Sequence, residues 1–97
     1  MDKVIYLNDL YDCYKELFTD KQRMYFEDYY FNNLSLSEIA ENYKVSRNAV
    51  HNQLKIIVDK LEEFECKLQL LNKKKMIIKI LDGKIKDDLL ENIKGLL

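Results

Sequence analysis

Apolar and polar positions repeat with a helical period along almost the whole chain. In the first segment the apolar residues are Val4, Leu7, Leu10, Tyr11, Tyr14, Leu17 and Phe18. Asp9, Asp12, Lys15 and Glu16 fall on the other side, so the spacing predicts a first helix from Val4 to Phe18. Thr19 and Gln22 then form a T-x-x-Q capping box, which starts a second helix running to about Phe31. That helix carries Tyr25, Phe26, Tyr29, Tyr30 and Phe31. These rings are expected to fill a core more than to stack on bases. Asn32 and Asn33 provide the stop, because asparagine tolerates the left-handed backbone that ends helices.

Two further helix starts follow within residues 34–55, LSLSEIAENYKVSRNAVHNQLK. Ser35 and Glu38 make an S-x-x-E capping box, with Leu34 and Ile39 in hydrophobic-staple spacing across it. Ser46 caps the second start, with Val45 and Val50 as the matching staple. The short helix, Leu36 to Tyr43, turns Leu36, Ile39, Ala40 and Tyr43 inward, and small Ala40 permits a close helix crossing. The second turns Val50, Leu54 and Ile57 inward and leaves Arg47, Asn48, His51, Asn52 and Lys55 on its other face. Two short helices joined by a turn of about three residues, with a polar face on the second, describe a helix-turn-helix. The face has the chemistry to read a duplex. Asparagine pairs bidentately with adenine, arginine with guanine, and lysine or arginine with phosphate.

The apolar pattern continues past Lys55. Leu54, Ile57, Leu61, Phe64, Leu68 and Leu71 extend Val50 into a heptad seam, which predicts one helix from Arg47 to Leu71, about 37 Å long. The seam must be covered by the N-terminal helix, by a second subunit, or by both, the inner half within the chain and the outer half between subunits. Asn72 and Lys73 to Lys75 interrupt it, and three lysines in a first turn oppose a helix dipole. The basic run is therefore expected to be a connection or a local anion-attracting patch. A further helix is predicted from Met76 to Leu81, ending at Gly83, and a last one along Ile85, Leu89, Ile93 and Leu96. The expected organisation is a helix-turn-helix domain over 1–71 and a helical appendage over 72–97 able to dock on the seam.

Composition narrows the class. With 47% hydrophobic and 34% charged residues, no proline and two glycines, the chain reads as a folded all-α protein. It has no apolar run of spanning length and no signal-peptide start, so no membrane insertion and a cytoplasmic location are expected. Cys13 and Cys66 have no metal-ligand neighbours and are expected to be reduced packing thiols. No phosphate loop, H-E-x-x-H or paired metal motif is present, and His51 has no nucleophile beside it in sequence. Neither catalysis nor a metal or other cofactor is expected. The net charge of −1 means that any nucleic-acid affinity must come from a local face and the C-terminal lysines.

Residues 19–68 resemble the YlxM-type family, small bacterial proteins with a helix-turn-helix like that of sigma factor region 4. The resemblance rests on the T-x-K-Q-R start (Thr19, Lys21, Gln22, Arg23), the L-S-L-S-E-I-A-E block (Leu34 to Glu41), and V-S-R with a following valine (Val45, Ser46, Arg47, Val50). It extends more loosely through residues 1–18. It implies an all-α helix-turn-helix bundle with a long recognition and dimerisation helix. Family members are encoded beside signal recognition particle genes, which implies a role in that targeting pathway or its regulation. Two positions depart from the family pattern. Lys44 holds the turn position usually given to glycine, and His51 and Asn52 replace residues that are commonly aromatic or acidic.

Two functions follow as expectations. One is a homodimeric regulator that places the Arg47 end of its long helix in a DNA groove. The other is an accessory factor contacting signal recognition particle protein or RNA.

Overall fold

The computed structural model describes residues 3–97. Among them are six α-helices: α1 Lys3–Tyr14, α2 Asp20–Tyr30, α3 Leu36–Tyr43, α4 Arg47–Leu68, α5 Leu70–Leu81 and α6 Asp87–Leu96. A single 3-10 turn, Lys15–Leu17, links α1 to the approach to α2. The all-α helix-turn-helix expectation holds.

The core is organised along α4. Val50, Leu54, Ile57 and Leu61 are buried, and α1, α2 and α3 all pack on this helix. They supply Leu7, Leu10, Tyr11, Tyr14, Tyr25, Phe26, Ile39 and Ala40 to one continuous cluster. Burying each large apolar side chain stabilises the fold by ~1.5–3 kcal/mol. Aromatic packing ties the helices together. Tyr11 stacks on Phe26 at 4.2 Å, and Tyr25 meets Tyr43 edge-on at 4.9 Å. The aromatic helix thus fills the core with Tyr25 and Phe26, while Tyr29 and Phe31 remain exposed.

Several boundaries differ from the sequence expectation. The first helix stops at Tyr14 instead of Phe18, and the tighter 3-10 turn swings Leu17 out to solvent before extended Phe18 returns to the core. Val4 is also exposed. The seam is not one helix to Leu71, because α4 ends at Leu68 and Gln69 adopts a left-handed backbone with φ 54°. Leu54, Ile57 and Leu61 are core residues, and half-buried Phe64 packs on Tyr14 and Phe18 of its own chain. Leu68 is exposed, and Leu71 is buried but belongs to α5. The basic run Lys73 to Lys75 is helical, since α5 begins at Leu70. In the last helix Leu90, not Leu89, is the buried residue. Cys13 packs against the core, where burial raises its pKa, whereas Cys66 is exposed and fills no core position.

The α4–α5 break is held by a polar node. The Glu65 carboxylate accepts the backbone N–H groups of Leu71 and Asn72, both at 3.1 Å, and so caps α5 from the preceding helix. The Tyr14 hydroxyl donates to Glu65 at 2.6 Å and accepts the Leu70 N–H at 3.0 Å. A negative group at this start satisfies orphan amides and favours the dipole, which lets a lysine-rich helix begin there. Two similar pairs brace the bundle: Tyr11 donates to Glu27, and Tyr43 donates to Asp28 at 2.8 Å.

Lys44 occupies the left-handed turn position, as its departure from the glycine pattern implies, with φ 56° and ψ 44°. Its N–H bonds the Glu41 carbonyl and the Val45 N–H bonds that of Ala40, a Schellman ending for α3. A side chain there costs ~1–2 kcal/mol, partly offset because glycine loses more chain entropy on folding. Lys44→Gly and Gln69→Gly should each raise stability by up to ~1 kcal/mol, seen as a higher melting temperature. A clear fall for either would contradict the assigned backbone.

The buried tyrosines set an alkaline limit. Burial and then the bond to a carboxylate push Tyr14 and Tyr43 up to about 12, and Tyr11 is raised further for the same reasons. An unfolded tyrosine ionises near ~10, so the native state holds these protons more tightly. The associated stability is intact below about pH 10 and is lost as pH rises through about 12. Tyrosinate absorbance from these residues should appear together with loss of helical circular dichroism. Ionisation of all seven tyrosines with the helices intact would show that the pairs do not form.

Candidate nucleic-acid interface

Two caps fix the approach to α4. The Ser35 hydroxyl accepts the Glu38 N–H, and the Glu38 carboxylate accepts the Ser35 N–H, each at 3.1 Å. That backbone bond, with the hydroxyl contact, holds the Glu38 carboxyl below its usual range. Ile39 and Ala40 are buried and Leu36 and Tyr43 are partly so, which seats α3 on the bundle. The chain then turns through Lys44 and Val45, and the Ser46 hydroxyl accepts the Ala49 N–H at 3.0 Å. The second helix of the motif is therefore α4.

Burial of Val50, Leu54 and Ile57 forces the other side of α4 outward. Arg47, Asn48, His51, Asn52 and Lys55 are all exposed. Among the described residues none of these side chains makes an ion pair or a side-chain hydrogen bond. Arg23 is different: it pairs with Asp20 at 2.6 Å and Glu16 at 3.5 Å, so its charge is committed within the fold. Arg47 is the arginine left for a partner. Asn48, Asn52 and Lys55 follow one another along the crest at helical spacing.

A shallow groove borders each side of this crest. His51 and Lys55 reach one of about 350 Å³, with Lys3, Tyr29, Tyr30 and Asp59 among its other lining residues. Ala49 and Gln53 border the other, about 290 Å³, together with Thr19, Lys21, Gln22, Tyr25 and Val45. Lys21 and Gln22 are neighbours of the face that helical spacing within α4 does not reveal. Their sequence signal is the T-x-x-Q box that starts α2; the packing of α2 on α4 then sets that start beside Val45, Ala49 and Gln53. Lys44 is exposed and adds a cation at the turn, three residues before Arg47.

The electrostatics are divided along α4. Its first three turns carry Arg47 and Lys55, whereas Asp59, Glu62 and Glu63 follow further out. Glu38 and Glu41 on α3 also lie exposed. The outer half of α4 also carries Lys60 and Lys67, Lys67 paired with Glu63, so the balance there is acidic and net cationic attraction is strongest at the motif end of the helix. Among the described residues no group of His, Cys, Asp or Glu stands where it could hold a metal ion, and no helix is long and apolar enough to cross a membrane.

Residues 1–95 match the family model for UPF0122, described as "Putative helix-turn-helix protein, YlxM / p13 like". The chain belongs to the UPF0122 family. A UPF0122 protein of Shouchella clausii is 48% identical over 73 residues, 75% of this chain and 67% of the relative. One from Malacoplasma penetrans is 50% identical over 86 residues, 84% of this chain and 80% of the relative. One from Oceanobacillus iheyensis is 44% identical over 82 residues, 84% of this chain and 78% of the relative. The UPF0122 match takes in α5 and nearly all of α6, so the likeness reaches well beyond the 19–68 stretch that carries the motif resemblance.

Proposed function

We propose that this UPF0122 protein is a regulatory nucleic-acid-binding protein, with duplex DNA as the ligand of the α4 face. The observation that carries the reading is the grouping of Arg47, Asn48, His51, Asn52 and Lys55 on one exposed side of a helix whose opposite side is core. Arg47 and Lys55 contact phosphate, and Asn48 and Asn52 read base edges in the major groove. Lys21 and Lys44 add flanking phosphate contacts. The protein acts as a homodimer, because one head carries too few cations for useful affinity alone. Each head neutralises about two to four phosphates, giving modest affinity and a shallow salt slope of ~−0.9 per phosphate.

A second reading, an accessory factor contacting the protein or RNA of the signal recognition particle, is favoured by the net charge of −1 and the acidic outer turns of α4. In that case the helix-turn-helix serves as a scaffold, since fold alone does not fix function.

Binding of duplex DNA at low salt separates the two. Arg47→Ala and Lys55→Ala should weaken binding across all sequences without changing the melting temperature. Asn48→Ala and Asn52→Ala should flatten preference at one or two base pairs, by ~1–3 kcal/mol each. Asp59→Asn, which removes a repelling carboxylate beside Lys55, should strengthen binding. DNA affinity unchanged by all four alanine substitutions would remove the DNA reading. Retention of a targeting-pathway protein or RNA with no DNA bound would put the accessory reading in its place.

A further inference from the structure

Helix α5, LLNKKKMIIKIL, carries lysines and uncovered apolar side chains on the same side. Its inner side is used within the chain, where Leu71 is buried and Ile78 half-buried. Leu70, Met76, Ile77 and Ile80 are exposed, Ile80 to 57%. At about 3.6 residues per turn these four fall within an arc of about 120°. Lys73 lies inside the same arc, Lys74 beyond its Leu70 edge and Lys79 beyond its Met76 edge. Leu96 and Leu97, exposed at the end of α6, line a groove with Leu70, Lys73 and Ile77 and lengthen the apolar strip.

The charge of this strip is one-sided. α5 contains Lys73, Lys74, Lys75 and Lys79 and no acidic residue, and the connection to α6 adds Lys84 and Lys86 against Asp82. Among the described residues no lysine of α5 is held in an ion pair. The acidic groups nearby do not cancel this charge. Asp12 stands on the rim of the groove, Asp87 and Asp88 lie at the far end of α6, and Glu91 is paired with Lys94 at 3.5 Å.

We propose that this strip is a docking surface for an anionic membrane, with α5 lying flat in the headgroup region. An apolar arc edged by lysines matches both parts of such a surface. Met76, Ile77 and Ile80 enter the acyl boundary, and Lys73, Lys74 and Lys79 face lipid phosphates. A nucleic-acid backbone would satisfy the lysines but leave the apolar arc in water. A helix of 12 residues is about 18 Å long, too short to cross a ~30 Å hydrocarbon core, so it adsorbs instead of spanning. The strip lies on different helices from the α4 face, so the inference does not depend on what that face binds.

Co-sedimentation of the full chain with lipid vesicles at low salt tests it. The wild type should bind vesicles of phosphatidylglycerol and phosphatidylcholine. It should bind phosphatidylcholine alone about 100-fold more weakly, at about fivefold per lysine. Lys73→Gln combined with Lys79→Gln should weaken binding to the mixed vesicles about 25-fold, and Ile80→Ser on the order of 10-fold. All three side chains are exposed in the free chain, so the melting temperature should not fall. The chain has no tryptophan, so Ile80→Trp supplies a single reporter whose emission should shift to the blue on the mixed vesicles. Absence of binding to those vesicles overturns the proposal, as does binding that neither set of substitutions weakens. Vesicle-bound Ile80→Trp protein with unshifted emission also overturns it, because the strip would still be in water. Loss of duplex DNA affinity in the lysine variant, with no vesicle binding by the wild type, would assign the lysines to nucleic acid instead.

Discussion

The apolar stripe of α4 is the constraint on which the rest of the molecule depends. Val50, Leu54, Ile57 and Leu61 lie on one side of a single helix, and α1, α2 and α3 all pack against that side. A helix buried along one stripe has no freedom to rotate about its axis, so its opposite side is fixed outward. The exposure of Asn48, Asn52 and Lys55 is thus a consequence of packing. Truncating Leu61 would cost ~2–5 kcal/mol and loosen the bundle that orients the candidate face.

The second constraint is polar. Glu65, near the end of α4, accepts from Tyr14 of α1 and from two amides at the start of α5. One carboxylate joins three helices at the point where the chain reverses its backbone sense. The α5–α6 hairpin is consequently attached to the head at a defined place, although its outer face is left uncovered.

Capping chemistry made much of this legible in the sequence. Thr19 with Gln22, Ser35 with Glu38, and Ser46 each stand at a helix start, and each side chain forms its expected local bond. Lys44 at a glycine position correctly marked the left-handed turn. The failures come from long-range partners that a sequence period does not report. Gln69 looks like any polar helical residue, and the break there depends on Glu65 and Tyr14, the latter separated from Leu70 by most of the chain. The lysine run read as helix-breaking because the carboxylate that caps α5 lies in the preceding helix. The heptad spacing was real, but α1 and the 3-10 region cover it as far as Phe64 within the chain. For the candidate face, helical spacing placed the five α4 residues together on the surface, while Lys21 and Gln22 became neighbours only through the packing of α2 on α4.

The central claim is that the first three turns of α4 form the partner-binding face. Amide chemical-shift mapping during titration with a short DNA duplex tests it directly, because every helix reports separately. The account predicts that the largest changes fall on residues 44–55 and at Lys21, with α5 and α6 nearly silent. Changes concentrated on α5 and α6, or no change at any duplex concentration at low salt, would contradict it.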